Sequence, residues 1–364
     1  MGRGNELLLE QERTLTLMAD ALGAIAAGEM VIVTGDRHSG FVGALVTAVD
    51  RLTPEHVNFL ITNARAPVYV TMDAQRLEAL GLEVIRPAGA NRRRPAVHVP
   101  VDYRPRTTTG LSTADRTATI RALADPASRA EDFRVPGHVL PIGARKAGVL
   151  ERPGHTEAAV DLVRIAGLSP AAVTCSILSD TGTTASVEQI RTFADHHGLT
   201  VLQIADIAAY RRQHEDVIER VGEAVIPTPE SRFLALGYRD RYEAGEHLAL
   251  VSGDLQEPGP IMVRVHTECL AGDVFASRGC ECRAYLRASL EELEEHGRGV
   301  LLYIRAPGGD RARLRHIEPA IAPELEDADQ KAAATAVNGV ALSMLKDLGV
   351  TADRLALEPA RSAR

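Results

Sequence analysis

The sequence predicts an α+β protein of two domains, a layered α/β domain with a mixed sheet followed by a smaller α+β domain. Three observations carry this. The 364 residues suit about two domains at roughly 150 residues each. The first half alternates short β-branched runs with helical segments whose ends are legible. The run Ile226-Pro227-Thr228-Pro229 then breaks the pattern. The expected organisation is a first domain over 1–215, a linker over 216–230 and a second domain over 231–364.

Strands are expected at Val31–Thr34, Val68–Met72, Val97–Val101, Ala172–Leu178 and Val201–Ile204, each short and rich in β-branched residues. Between them, Thr53-Pro54 gives an N-cap with proline at the first helical position. Ser112 stands three residues before Asp115, an acidic form of the capping box. Pro153–His155 leads into a helix over Thr156–Ala166 that Gly167 closes, and Ser186 opens Val187–His197, closed by Gly198. Arg86–Thr109 reads as a long irregular stretch. A highly charged helix from Asp206 towards Val221 reads as a solvated bridge. In the second domain, strands are expected at His247–Ser252, Met262–His266 and Val300–Arg305. Helices are expected at Ala284–His296 and Asp327–Leu348.

A net charge of -8 argues against a nucleic-acid binder, and Arg92-Arg93-Arg94 reads as an exposed loop. No apolar run reaches the ~18 residues of a membrane span. The first residues, MGRGNELLLEQERTLTL, carry acids within their apolar stretch and do not read as a signal peptide. Four cysteines are too few for a disulfide scaffold, so the expected compartment is the cytoplasm.

Two constellations carry chemistry. Cys269, Cys280 and Cys282 form C-x10-C-x-C between a strand and a helix. Three thiolates there can hold zinc with the fourth position left to water, as in a catalytic site; three scattered thiols would give the same spacing. The second constellation is Pro136-Gly137-His138 with Arg152-Pro153-Gly154-His155-Thr156-Glu157. Arg152 and Thr156 at a helix start suit phosphate. His138 and His155 suit a base or a metal ligand, though lone histidines near turns are more often plain surface residues. Cys175, within a strand, reads as a buried apolar residue.

The surrounding segments point further. Arg264-Val265-His266-Thr267-Glu268-Cys269-Leu270-Ala271-Gly272-Asp273-Val274-Phe275 closely resembles the zinc-site signature of GTP cyclohydrolase II, as do His247–Val251 and Gly297–Tyr303. Thr108–Arg116, with the Pro-Gly-His and Gly-His-Thr-Glu-Ala segments, resembles 3,4-dihydroxy-2-butanone 4-phosphate synthase over about residues 20–212. In this order the two resemble the bifunctional riboflavin-biosynthesis family. The resemblance implies a synthase-like domain followed by a zinc-containing cyclohydrolase-like domain, and a homodimer. It implies catalytic roles for His138 and His155, and substrate contacts from Arg152, Thr156, Arg264, His266, Thr267 and Glu268. Zinc would sit on Cys269, Cys280 and Cys282.

The sequence departs from the family at both sites. The synthase signature Arg-Glu-Asn-Glu-Gly-Asp, whose first Glu holds magnesium, is Ser39-Gly40-Phe41-Val42-Gly43-Ala44. The catalytic Glu after the cysteine is Ser176. Magnesium would find His155 without its partner ligand. The cyclohydrolase motif Arg-Gln-Glu-Gly-Arg is Arg305-Ala306-Pro307-Gly308-Gly309, and the Asp-x-Arg pair falls near Ala334 and Ala336. The Thr-Asn-Asn-Pro segment appears as Ala356-Leu357-Glu358-Pro359, and Asp310, Arg311 or Arg313 could substitute for a lost group. The expectation is a riboflavin-biosynthesis family member with its synthase activity lost and its cyclohydrolase activity in doubt. The alternatives are a non-catalytic paralogue that binds a sugar phosphate or nucleotide, and a repurposed zinc enzyme acting on a purine nucleotide.

Overall fold

The computed structural model describes residues 3–35, 43–85, 95–242, 245–305, 327–351 and 354–355, with the backbone alone for 3–12 and 327–336. Ser39, Gly40, Arg92–Arg94, 306–313, 356–359 and the side chains of Ala334 and Ala336 lie outside the described residues. The chain divides into two compact units, Thr16–Ile207 and Met1–Leu15 joined with Ala208–Arg364.

In chain order the elements are α1 (Arg3–Ala27), β1 (Val31–Thr34), β2 (Gly43–Ala48), α2 (Pro54–Phe59), β3 (Arg65–Asp73) and α3 (Ala74–Ala79). They continue β4 (Ala96–Val97), β5 (Val101–Tyr103), α4 (Thr113–Ala124), β6 (Phe133–Ala144), α5 (His155–Ile165), β7 (Ala171–Ile177), α6 (Val187–His197), β8 (Thr200–Gln203) and α7 (Ile204–His214). The first unit takes α1 from Thr16 onward and α7 as far as Ile207. Its sheet has the order β4-β6-β3-β7-β2-β1-β8, with β5 on β6. The sheet is mixed: β1/β8 and β3/β6 are parallel, while β1/β2, β2/β7 and β3/β7 are antiparallel. The helix ends follow their capping residues. The side-chain oxygens of Thr53, Ser112 and Ser186 accept from the amides of His56, Asp115 and Gln189, and Gly198 takes φ 64°.

Two strands of the first unit escape the sequence pattern. All six residues of β2 are buried, so it shows no alternation. β6 contains Pro136, Gly137 and Pro141, residues that normally argue against a strand. The expected Val97–Val101 strand is divided into β4 and β5 around Pro100.

The second unit adds β9 (Ile218–Pro227), β10 (Arg232–Asp240), β11 (Glu246–Ser252), β12 (Met262–Thr267), α8 (Cys282–His296), β13 (Gly299–Ile304) and α9 (Asp327–Asp347). The sheet order is β12-β13-β11-β10-β9. Parallel β12 and β13 are joined across α8; the other pairs are antiparallel. β13 shows the two faces: Val300, Leu302 and Ile304 pack with Val340, Ala341 and Met344 of α9, and Leu301 packs with Leu293 of α8. Two guanidiniums fasten the turn before β12 by its peptide oxygens. Arg298 donates to the carbonyls of Glu257, Pro258 and Pro260 at 3.2, 2.9 and 2.9 Å, and Arg354 donates to those of Leu255 and Glu257.

The charged bridging helix is a correction. α7 stops at His214, and residues 216–230, read as a linker, include the edge strand β9. Val217, Ile218, Val221, Val225 and Ile226 favour strand over helix. Arg211 and Arg212 are buried, not solvated. Arg211 holds Glu215 at 2.6 Å, and Arg212 lies 3.7 Å from buried Asp240. Among the described residues, no helix is long and apolar enough to cross a membrane.

Candidate functional site

The first unit places the two expected histidines on different elements. His138 is on β6. Its Nδ1 lies 2.9 Å from Asp102 Oδ2, and its amide donates to Asp102 Oδ1 at 2.9 Å. Asp102 is buried while His138 is half exposed, so the carboxylate holds the ring at Nδ1 and orients Nε2 away from it. Gly137 makes this approach possible: a Cβ there would stand 2.0 Å from the Val101 carbonyl carbon. Asp102 was not singled out in the sequence, where it is one aspartate in a weak strand.

His155 opens α5. Burial pushes its pKa down to about 4, partly offset by a hydrogen bond to the backbone of Val33. A Cβ on Gly35 would meet the His155 ring at 2.7 Å, so the ring lies against the end of β1. His138 stands on β6, four strands away in the sheet order. Arg152 turns inward: its Nη2 and Nε reach Glu157 Oε2 at 2.7 and 2.8 Å. Burial raises the Glu157 carboxyl against the opposing pull of Arg152. Thr156 is buried beside it.

Ala44 and Ser176, the replaced positions, are direct partners across β2 and β7. The pair offers one hydroxyl and no carboxylate. Among all described residues, the cysteine trio is the one group of three or more able to hold a metal. Cys175 is fully buried in β7, where burial pushes its thiol up to about 11.

In the second unit, Cys269, Cys280 and Cys282 converge. All three sulfurs lie within 4.8 Å of one another, and Cys269 Sγ is 3.8 Å from Cys280 Sγ. Two sulfurs on a tetrahedral zinc at ~2.3 Å stand ~3.8 Å apart, so the trio fits the ion. Gly272 sits at the centre of the cluster. A Cβ there would meet Cys280 Sγ and Cys282 Cβ at 2.9 Å and Cys269 Sγ at 3.4 Å. The thiol of Cys280 is held below its ordinary range, first by the amide of Cys282.

The neighbouring residues differ in reach. Arg264 donates from Nε and Nη2 to Glu292 Oε2 of α8, at 3.0 and 2.7 Å, and from Nη1 to the Val263 carbonyl at 3.3 Å. His266 is 2% exposed, between the rings of Tyr285 and Tyr303. Its Nε2 lies 3.0 Å from both oxygens of Asp273. Thr267 and Glu268 are half-buried at the end of β12, with Glu268 Oε2 3.7 Å from Arg305 Nε. The sequence reading missed Asp273, Tyr303 and Glu292 as partners. The four-residue spacing of Cys269 and Asp273, one turn, was the available signal.

Arg305 donates its amide to Nδ1 of buried His247 at 3.2 Å. Burial is the main cause that pushes His247 from 6.5 down to about 4; nearby Asp240 raises it, and Arg212 and Arg305 lower it further. The folded unit therefore takes up this proton less readily than the unfolded chain. The associated stability is complete above pH 6.5 and drains away as pH falls towards 4. Between pH 7 and 4.5 the second unit should lose roughly 2–3 kcal/mol through this group. Urea unfolding of His247→Gln should show a pH dependence shallower by that amount; an unchanged dependence would assign the acid sensitivity elsewhere.

A family model for 3,4-dihydroxy-2-butanone 4-phosphate synthase matches residues 19–210, and one for GTP cyclohydrolase II matches residues 219–361. Riboflavin biosynthesis protein RibBA of Rhodococcus jostii (strain RHA1) is 42% identical over 353 residues, covering 92% of this chain and 84% of that protein. RibBA of Mycobacterium tuberculosis (strain ATCC 25618 / H37Rv) is 43% identical over 349 residues, covering 92% and 82%. Among solved structures, RibBX, a two-domain 3,4-dihydroxy-2-butanone 4-phosphate synthase from A. baumannii, aligns with a TM-score of 0.69 at 33% identity, over 92% of this chain and 91% of that one. A 3,4-dihydroxy-2-butanone 4-phosphate synthase in complex with two magnesium ions aligns at 0.50 and 33%, over 54% and 96%.

Proposed function

The chain belongs to the bifunctional riboflavin-biosynthesis family that joins a 3,4-dihydroxy-2-butanone 4-phosphate synthase domain to a GTP cyclohydrolase II domain, and from that premise we propose that its synthase chemistry is silent while its zinc site is kept for a purine nucleotide. The observation that carries this reading is the contrast between two clusters. Ala44 faces Ser176 where the resemblance places carboxylates, whereas Cys269, Cys280 and Cys282 stand at zinc-bridging distance. Conversion of ribulose 5-phosphate needs groups that move protons, and a serine hydroxyl without an activating base is neither acid nor base near neutral pH.

In the second unit, Cys269, Cys280 and Cys282 would hold the zinc. When bound, the ion supplies Lewis acidity and activates water for attack on a ring carbon. Glu268, next to Cys269 and 3.7 Å from Arg305, would contact substrate beside that site in this reading. Thr267 ends β12 beside it. Arg264 and His266 serve the scaffold in this reading, because Glu292 occupies the first and the second is buried.

Formate released from each family substrate tests the proposal. Purified zinc-loaded protein should give none from ribulose 5-phosphate with magnesium and should give formate from GTP. Turnover of ribulose 5-phosphate at the rate of an active synthase run in parallel would overturn the first half. No formate from GTP would overturn the second.

A further inference from the structure

Asp273 is the residue on which the zinc-site turn closes. Its Oδ2 accepts the amide of Cys269 at 2.8 Å and the hydroxyl of Tyr303 at 2.8 Å, and both oxygens face His266 Nε2 at 3.0 Å. The backbone returns the contact: the amide of Asp273 donates to the Cys269 carbonyl at 2.7 Å. Gly272, one residue earlier, sends its amide to Cys269 Sγ at 3.4 Å. Cys269 is thus held at its amide, its carbonyl and its sulfur by two consecutive residues.

Each donor constrains the carboxylate differently. The Cys269 amide, the Tyr303 phenol and the His266 ring nitrogen converge on the two carboxylate oxygens, which have lone pairs for all three. The imidazole is clamped between Tyr285 and Tyr303, with ring centroids 5.9 and 5.3 Å away. Tyr303 belongs to β13 and His266 to β12, so the carboxylate ties the turn to two strands of the sheet. The thiol that follows β12 takes its position from that tie.

We propose that Asp273 is a positioning residue for the metal: through the Cys269 amide, and braced by His266 and Tyr303, it sets the Cys269 sulfur at zinc-binding distance from Cys280 and Cys282. This rests on the zinc reading above. Partners of this outer kind tune metal affinity by about 10–100-fold. Asn in place of Asp keeps the shape but puts an NH2 group where one of three donors must be accepted.

Competition against a chromogenic chelator reads zinc affinity in the full-length protein. Asp273→Asn should weaken it by about 10–100-fold, and cobalt loaded in place of zinc should show an altered thiolate-to-metal charge-transfer band. A stability effect alone would move neither the band nor the relative affinity. If Asp273→Asn lacks a cooperative unfolding transition, Tyr303→Phe removes one bracing donor instead, and its cobalt band should shift in the same direction. Wild-type affinity and an unchanged cobalt band in the folded variant would overturn the role of Asp273 and leave the zinc reading standing. A wild-type protein that binds neither metal would overturn both.

Discussion

Restoring four side chains together, Ser39→Arg, Gly40→Glu, Ala44→Asp and Ser176→Glu, should create magnesium-dependent formate release from ribulose 5-phosphate where the unaltered chain gives none. A single general acid–base group contributes about 10²–10⁴-fold. Groups that act as a unit are far from additive, so each single restoration should remain silent. Ala44 and Ser176 are opposed across β2 and β7, so Asp and Glu there would bring like charges to about 5 Å between Cβ atoms. That repulsion gives a second readout. The restored protein should melt lower without magnesium and recover with it, by about 2.7 kcal/mol at a hundredfold excess over the dissociation constant. Comparable formate release before and after restoration would show that other residues carry the synthase chemistry.

Zinc should be lost, with the fold kept, on Gly272→Ala. The added methyl would lie 2.9 Å from both Cys280 Sγ and Cys282 Cβ, closer than carbon atoms pack. One sulfur must then move by several tenths of an ångström, beyond the ±0.2 Å that a zinc–thiolate bond tolerates. Overpacking of this size costs about 1–3 kcal/mol, or about 5–150-fold in affinity. Elemental analysis after dialysis against a chelator should fall from about one zinc per chain to near none, while the unfolding of the first unit stays as it was. Full zinc at wild-type affinity in the alanine variant would mean that the three thiols do not close around this turn.

The sequence made the fold class and most helix ends legible because capping is local chemistry. Thr53, Ser112 and Ser186 do in the structure what their spacing promises. The cysteine cluster was legible for a similar reason, with its thiols carried on one turn and the start of the helix that follows. What escaped depends on distant partners. β2 is buried on both faces and β6 carries prolines, so neither shows a period of two. The charges of α7 look solvated until Asp240, 28 residues after Arg212 in the numbering, meets them. Asp102, Asp273 and Glu292 are ordinary acids in the sequence. Each gains its role from a side chain on another strand or helix, His138, Tyr303 and Arg264 respectively.

The clasp on the turn before β12 has a property that the carboxylate pairs lack. Arg298 and Arg354 grip peptide oxygens of residues 255–260. Guanidinium stays charged throughout the working range, and an amide carbonyl has no proton to gain there. Neither end of the contact titrates. The second unit therefore contains a seam indifferent to protons, and structure retained in acid would persist around it.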